Sequence, residues 1–249
     1  HKALALLIRK AGSKATKVNF NAVDARGRTP LMIACHSGEA KCVDFLCQAR
    51  VNSDLKDQEG YAAIHHCVLA ALEPKIGVGR ASSCVRALHK GHAEIDRKTL
   101  DGRTALHLAV QMGAPDIAIA LKDSGCNMNK FSTEGYNAVY YSCVHNNPLR
   151  AIETVKGLMR LGTNIQEKEP STGRNSLHVA VRQELPDVVK FLVQAKANVL
   201  EPDNEGKTPV HYAAMQGSLE CMGAITTTLA GMILTVNVPH AENTKKKGK

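Results

Sequence analysis

Histidine is the residue type whose spacing in this chain first suggests chemistry. His65, His107, His178 and His211 occupy the same place in similar short segments such as "LHLAV" and "LHVAV". Imidazoles ligate metals and act in acid–base catalysis. A shared site is disfavoured because each histidine belongs to a separate segment, and packed helices lie about 10 Å apart. The pattern favours hydrogen bonds to neighbouring turns, and because Met32 takes this place in the first segment, we expect that network to be missing there.

Eight cysteines are the other candidates for metal binding or redox chemistry. No Cys-x-x-Cys pair occurs, and the nearest approach to a ligand cluster is "HHC" at His65–Cys67. Zinc sites need four ligands at tetrahedral spacing. We therefore interpret the cysteines as buried free thiols in a reducing compartment and expect no metal and no cofactor. They are Cys35, Cys42, Cys47, Cys67, Cys84, Cys126, Cys143 and Cys221.

Motifs that would indicate an enzyme are missing from the sequence. It contains no G-x-S-x-G, no phosphate-binding Walker loop, no G-x-G-x-x-G and no H-E-x-x-H. The "GVG" at Gly77–Gly79 has no strand-to-helix context for binding phosphate. We predict that the chain has no catalytic residues. An enzymatic module elsewhere in a larger protein is an alternative that the sequence leaves open.

Composition and charge narrow the class of protein further. Hydrophobic residues make up 44% but aromatic residues only 4%, which favours helices packed closely through small aliphatic side chains. The net charge of +9 suits an acidic protein partner or proximity to nucleic acid, or simply improves solubility. The final "KKKGK" lacks interleaved aromatics, so we expect no sequence-specific nucleic-acid binding. It is either a nuclear localisation element or a solvated tail.

Targeting and membrane-spanning segments bear on the location of the protein. The sequence shows no signal peptide and no apolar run long enough to cross a bilayer, so we predict no membrane association. We expect an intracellular protein of the nucleus, the cytoplasm or both. Because the chain begins at His1 without a methionine, we expect it to be an excised fragment.

Six similar segments, each with a turn glycine, supply the elements that would position these residues. Successive glycines are separated by 33, 42, 33, 38 and 33 residues. Glycine accepts the positive φ of a tight turn, while Thr29, Thr104 and Thr208 can cap the helix that follows. Pro30 and Pro209 suit a first helical turn. The glycines are Gly27, Gly60, Gly102, Gly135, Gly173 and Gly206.

A 33-residue period combined with T-P-L-H-x-A resembles the ankyrin-repeat family over about residues 18–232. The resemblance implies an all-α solenoid of helix-turn-helix units with β-hairpin fingers, which binds other proteins. We expect a partial N-terminal repeat or cap at 1–22, six repeats over 23–236 and a basic flexible tail at 237–249. Insertions near 71–83 and 144–152 are predicted to be loops that interrupt the stack.

Two stretches resemble one branch of that family, the inhibitor-of-κB proteins and NF-κB precursors. They are "IQEKEPSTGRNSLHVAV" at Ile165–Val181 and "GRTALHLAVQMGAPDIAIALKDSGCN". The basic tail is similar to that of the nuclear, coregulatory members. This resemblance implies a regulator of transcription or immune signalling that binds Rel-type transcription factors or an equivalent scaffold. A cytoplasmic adaptor unrelated to Rel factors and the ankyrin domain of a larger enzyme are the alternatives.

The finger tips and inner helices of such a solenoid form its binding face. Basic residues adjoin the turn glycines and would form a ridge that meets an acidic partner, with two tyrosines as anchors. Since turn residues point away from the core, Arg103→Glu with Arg174→Glu is expected to weaken binding and leave thermal stability nearly unchanged. Finger candidates are Arg26, Arg28, Tyr61, Arg103, Tyr136, Arg174 and Lys207, and inner-helix candidates are His36, Gln111, Met112, Tyr141, Arg182 and Met215.

Overall fold

The computed structural model describes residues 19–144 and 148–236. Nearly all of the expected N-terminal cap at 1–22 and the whole basic tail at 237–249 lie outside these residues. Helices account for all the regular secondary structure in the described part of the chain. The all-α solenoid predicted from the repeats is therefore confirmed.

Twelve helices within 19–144 and 148–236 form six consecutive pairs, one for each repeat. Each inner helix packs against the next inner helix, and each outer helix against the next outer helix. The inner helices are α1 Pro30–His36, α3 Ala63–Leu72, α5 Ala105–Gln111, α7 Ala138–Cys143, α9 Ser176–Arg182 and α11 Pro209–Gln216. The outer helices are α2 Ala40–Gln48, α4 Gly77–Lys90, α6 Pro115–Asp123, α8 Pro148–Arg160, α10 Pro186–Gln194 and α12 Leu219–Val236.

The fingers between repeats are tight turns, not the β-hairpins that we predicted. In the first finger the Asp24 amide donates to the Arg28 carbonyl and the Gly27 amide to the Asp24 carbonyl. The side chain of Asp24 accepts hydrogen bonds from the amides of Arg26 and Arg28. The Asp24 carboxylate and these two backbone hydrogen bonds thus close the turn. The described residues contain no β-strand.

Two buried histidines, His107 and His178, connect an inner helix to its own start and to the next repeat. At His107, Nδ1 accepts the Thr104 amide at 3.0 Å, so Nε2 carries the proton and donates to the Lys130 carbonyl at 3.0 Å. His178 makes the equivalent bond to the Lys207 carbonyl at 3.2 Å. The predicted structural role is confirmed for both residues. His211, in the last of the described repeats, is exposed.

Met32 corrects one detail of this expectation. Its sulfur accepts the Thr29 amide at 3.4 Å, while the Thr29 hydroxyl accepts the Met32 amide at 3.3 Å. Half of the histidine network therefore persists in the first repeat, because a thioether is a weak acceptor. What methionine cannot supply is a donor to the next repeat.

Both insertions lengthen helices where we predicted loops. Residues 77–83 form the first turns of α4, which has 14 residues against nine in α6 and α10. The second insertion makes α8 13 residues long, while residues 145–147 lie outside the described part of the chain. Pro and Gly content suggested a loop, yet the apolar face of α4, with Ala81, Cys84, Val85 and Leu88, packs into the core and favours a helix.

Six of the eight cysteines are buried, Cys47 is half-buried and Cys42 is exposed. All eight are free thiols. Burial raises the pKa of the Cys35 and Cys143 thiols, the latter to about 12. These cysteines therefore act as small apolar packing residues, as the sequence predicted for most of them.

Candidate interaction surface

A hydrogen bond between the start of a finger and the inner helix that follows it recurs in two repeats. Tyr212 donates from its hydroxyl to Oδ2 of Asp203 at 2.6 Å, and His66 Nε2 lies 2.9 Å from Oδ2 of Asp57. Both pairs are nine residues apart. Tyr141 stands at the same register, nine residues after Ser132. We call each such pair a finger clasp, because it holds the finger against the helix.

The clasp at Asp203 ionises more readily than an isolated carboxyl group. Burial alone would raise the pKa of Asp203, but hydrogen bonds from Tyr212 and from the amides of Lys207 and Glu205 lower it below its ordinary value. Burial, followed by this same hydrogen bond, raises the pKa of Tyr212. The pair is therefore a carboxylate and a neutral phenol near pH 7.

The four basic residues that follow turn glycines each have an acidic neighbour. Arg28 donates from Nε and Nη2 to Asp24 at 2.9 and 2.8 Å, and Lys207 lies 2.5 Å from Glu205. Arg103 pairs with Asp101 and also hydrogen-bonds Gln111. Arg174 is the fourth, with Asp203 at 3.6 Å. The positive charges of the predicted ridge are therefore paired with carboxylates of the same chain.

Arg174 packs against the next repeat, unlike the outward-pointing finger-tip arginine that we expected. Its side chain is only 20% exposed, and its Nε donates to the Tyr212 hydroxyl at 3.1 Å. The guanidinium carbon lies 5.3 Å from the centre of the Tyr212 ring. Arg174 thus completes the finger clasp of the sixth repeat, and we expect its replacement by glutamate to destabilise the fold.

The other predicted finger residues divide by exposure. Arg26 is exposed, and no ion pair to it is found among the described residues. Tyr61 is half-buried, with its ring 6.1 Å from His65 and 6.2 Å from His66. Part of the ring is therefore packed against these histidines, and part is accessible to a partner. Tyr136 is also half-buried, and its ring stacks on that of Tyr140.

The predicted inner-helix residues are accessible with one exception. Gln111, Met112, Arg182 and Met215 are exposed, and His36 is half-buried with its ring 5.7 Å from His66. Tyr141 is only 9% exposed and packs 5.1 Å from His107. The exception arises because the Tyr141 ring lies between the inner helices of the third and fourth repeats.

Two accessible residues were missed by the sequence analysis. Ile33 on α1 is 41% exposed, although the register of the repeat suggests a core position. Tyr140 on α7 occupies the histidine slot, and its ring stacks on Tyr136 with centroids 3.6 Å apart and planes 3° from parallel. The signal that could have found Tyr140 is its departure from histidine at an otherwise regular position.

No group of three or more histidine, cysteine, aspartate or glutamate side chains among the described residues is placed to hold a metal ion. No described helix is both long enough and apolar enough to cross a membrane.

The helix pairs, turn glycines and histidine links define a solenoid of the protein-interaction class. The family described as "Ankyrin repeats (3 copies)" matches residues 1–76, 69–169 and 149–227, so the chain belongs to the ankyrin-repeat family. Ankyrin repeats mediate protein–protein contacts and are generally non-catalytic.

Comparison with individual proteins gives more distant likenesses. Human inversin is 30% identical over 166 residues, 66% of this chain and 14% of inversin. The chicken nuclear factor NF-kappa-B p105 subunit is 27% identical over 218 residues, 87% of this chain and 17% of that protein. The chain thus spans less than a fifth of the length of either relative.

The crystal structure of the ankyrin repeat domain of Bcl-3, described as a unique member of the IkappaB protein family, is also similar. The two folds superpose with a TM-score of 0.68 at 26% sequence identity. The match covers 81% of this chain and 86% of the Bcl-3 chain.

Proposed function

We propose that this chain is an inhibitor-of-κB-like regulator that binds a dimer of Rel-type transcription factors. The observation that carries the proposal is the likeness to the Bcl-3 ankyrin domain, which extends over most of both chains. The resemblance of Ile165–Val181 to that family and the similarity to the p105 subunit support it independently. Action in the nucleus, the cytoplasm or both, without catalysis of its own, is part of the proposal.

The binding face in this proposal consists of the finger tips and the exposed inner-helix residues. Arg28, Arg103 and Lys207 are already paired with carboxylates of the chain, so an acidic partner would exchange one ion pair for another. Exchange of exposed ion pairs contributes little net affinity. Charge would mainly speed association and make it salt-sensitive, and apolar contacts such as Met112 and Met215 would supply affinity.

A cytoplasmic adaptor is the second candidate function. It is kept because the likeness is not confined to the inhibitor-of-κB family: human inversin is 30% identical and the p105 subunit 27%, although inversin covers less of the chain. The two candidates share the same binding face and differ in the partner.

Titration calorimetry with a purified Rel-homology dimer tests the proposal. We expect a Kd below about 1 µM, as for specific complexes of standard interface size. Arg103→Glu is expected to weaken binding at least about fivefold at low salt through slower association. Arg86→Glu, a matched change at an exposed position on outer helix α4, is expected to leave Kd within about twofold.

Two results would contradict the regulator proposal. Absence of heat and of co-elution with every Rel-homology dimer at tens of micromolar protein would leave the adaptor as the better candidate. Equal weakening by Arg86→Glu and Arg103→Glu would show that binding follows overall charge and not the finger tips.

A further inference from the structure

The boundary between the fourth and fifth repeats differs from its neighbours because it has no histidine link. At the third and fifth repeats, His107 and His178 bond to a carbonyl of the following repeat. Tyr140 takes this position in the fourth repeat, where its ring stacks on that of Tyr136. Burial and the neighbouring Tyr136 hydroxyl raise the pKa of Tyr140 to about 12, so the hydroxyl stays protonated.

A cleft opens at this boundary on the side of the fingers and inner helices. Its walls include the stacked rings of Tyr136 and Tyr140 on one side and Arg174, Val179 and Arg182 on the other. The cleft is shallow, because its closed part measures only about 20 Å³, room for a single water molecule, and the rest is open to solvent. A partner segment would therefore lie across its mouth, against the tyrosine rings.

Arg182 is the cation that the cleft leaves without a carboxylate among the described residues. Its guanidinium carbon lies 6.0 Å from the centre of the Tyr212 ring, and the side chain is exposed. Arg174 is compensated by Asp203. The cleft therefore offers a cation and aromatic rings together.

The acidic groups around the cleft have partners of their own. Glu169 is 8% exposed, and its two carboxylate oxygens accept hydrogen bonds from the hydroxyls of Ser171 and Thr172. Asp203 is held by Tyr212 and Arg174. The oxygens of both carboxylates thus have hydrogen-bond donors within the chain, whereas the guanidinium of Arg182 has no carboxylate partner among the described residues.

We propose that this cleft, defined by Tyr136, Tyr140, Val179 and Arg182, anchors the protein partner. Its occupant is a carboxylate side chain beside an aromatic side chain on an extended acidic segment. The carboxylate pairs with Arg182 in the two-pronged geometry that arginine favours, and the aromatic ring packs on Tyr140. Tyrosine and arginine are enriched at binding hot spots. This proposal refines the binding face of the proposed function and rests on that function for the identity of the partner.

Fluorescence anisotropy with defined probes tests the cleft on the whole chain. The first probe is a labelled peptide with a Glu-Phe-Glu core, and the controls replace both Glu by Gln or Phe by Ala. We expect the first probe to bind at least about tenfold more tightly than either control, because charge and ring contribute together. Arg182→Glu is expected to remove this preference, while Arg86→Glu leaves the Kd of the first probe within about twofold.

Tyr140→His provides a second variant that restores the histidine of the other repeats. We expect it to fold with an unchanged circular dichroism spectrum and to bind the Glu-Phe-Glu peptide about tenfold more weakly, since the stacked tyrosine pair is lost. Binding by Arg182→Glu within about twofold of the unmodified chain would overturn the proposal. Equal binding of the Phe and Ala peptides would overturn it too, because the site would then take any anion.

Two further outcomes separate this inference from neighbouring ones. A labelled oligothymidine that binds in place of the peptide, and is lost in Arg182→Glu, would overturn the proposal in favour of a base-stacking surface. A Rel-homology dimer that binds the unmodified chain and Arg182→Glu equally would overturn the cleft proposal while the proposed function stands. Peptide binding that meets every expectation without Rel binding would support the cleft and contradict the proposed function.

Discussion

The hydroxyl of Tyr212 donates a 2.6 Å hydrogen bond to the carboxylate of Asp203, nine residues earlier in the chain. The same carboxylate accepts the amides of Glu205 and Lys207 through its other oxygen. One buried aspartate therefore shapes the finger and ties it to the inner helix. His66 and Asp57 repeat the arrangement in the second repeat.

Removal of the Tyr212 hydroxyl should measure the worth of this clasp. Hydrogen bonds to charged groups contribute about 1.5–3 kcal/mol, so Tyr212→Phe is expected to lower the free energy of unfolding by roughly that amount. Urea denaturation followed by circular dichroism provides the measurement. Tyr61→Phe is the matched control, expected to change the free energy by less than about 0.5 kcal/mol. Equal effects of the two changes would mean that the clasp does not stabilise the repeat.

Charge reversal at two arginines of the fifth repeat should reduce folding stability to very different extents. Arg174→Glu places a second carboxylate beside Asp203 and is expected to cost at least about 2 kcal/mol of folding stability. Arg182→Glu alters an exposed side chain and is expected to cost less than about 0.5 kcal/mol. Thermal or urea unfolding of the two variants decides the matter. Comparable stability of both would restore the view of Arg174 as an ordinary surface residue.

Buried neutral histidines should make the fold sensitive to acid. Burial lowers the pKa of both His65 and His107 from 6.5 to about 4, so the unfolded chain binds more protons across that window. Stability is then retained above pH 6.5 and falls as the pH drops towards 4. The expected loss between about pH 7 and pH 5 is on the order of 2 kcal/mol for each histidine.

Urea unfolding at both pH values, for the unmodified chain and for His107→Gln, isolates the contribution of one residue. Glutamine does not titrate, so the loss on acidification should shrink by about 2 kcal/mol in the variant, whatever its stability at neutral pH. An unchanged loss would show that His107 is not buried in its neutral form.

Two turn glycines with the same backbone angle should differ in their tolerance of alanine. Gly102 and Gly206 have φ of +75° and +77°. A Cβ at Gly102 would lie 2.6 Å from the amide nitrogen of Thr133, whereas none of the described residues comes within 4 Å of one at Gly206. Gly206→Ala should cost about 1–2 kcal/mol from φ alone. Gly102→Ala should cost a further 1–3 kcal/mol or so through the steric clash, and equal losses in urea unfolding would contradict this.

Features whose partners lie within about nine residues were accessible from the sequence. The turn glycines, the Thr104 cap with His107 and the 33-residue period depend on hydrogen bonds inside one repeat, so each leaves a local pattern. The finger clasp could also have been found, because acidic and aromatic residues recur nine positions apart. The prediction of a loop at 71–83 was wrong. Pro and Gly content describes only the local sequence, whereas the helix is stabilised by the packing of the apolar face of α4 into the core.

The sequence by itself determined the repeat, the helices and the links that each repeat makes to itself. Only the tertiary structure decided which charged groups compensate one another and where the stack opens. Arg174 meets Tyr212 across 38 positions, and the cleft beside Tyr140 includes Arg182 from the next repeat. Such contacts depend on how one repeat is stacked on the next, and that arrangement results from packing along the whole interface and not from any local pattern.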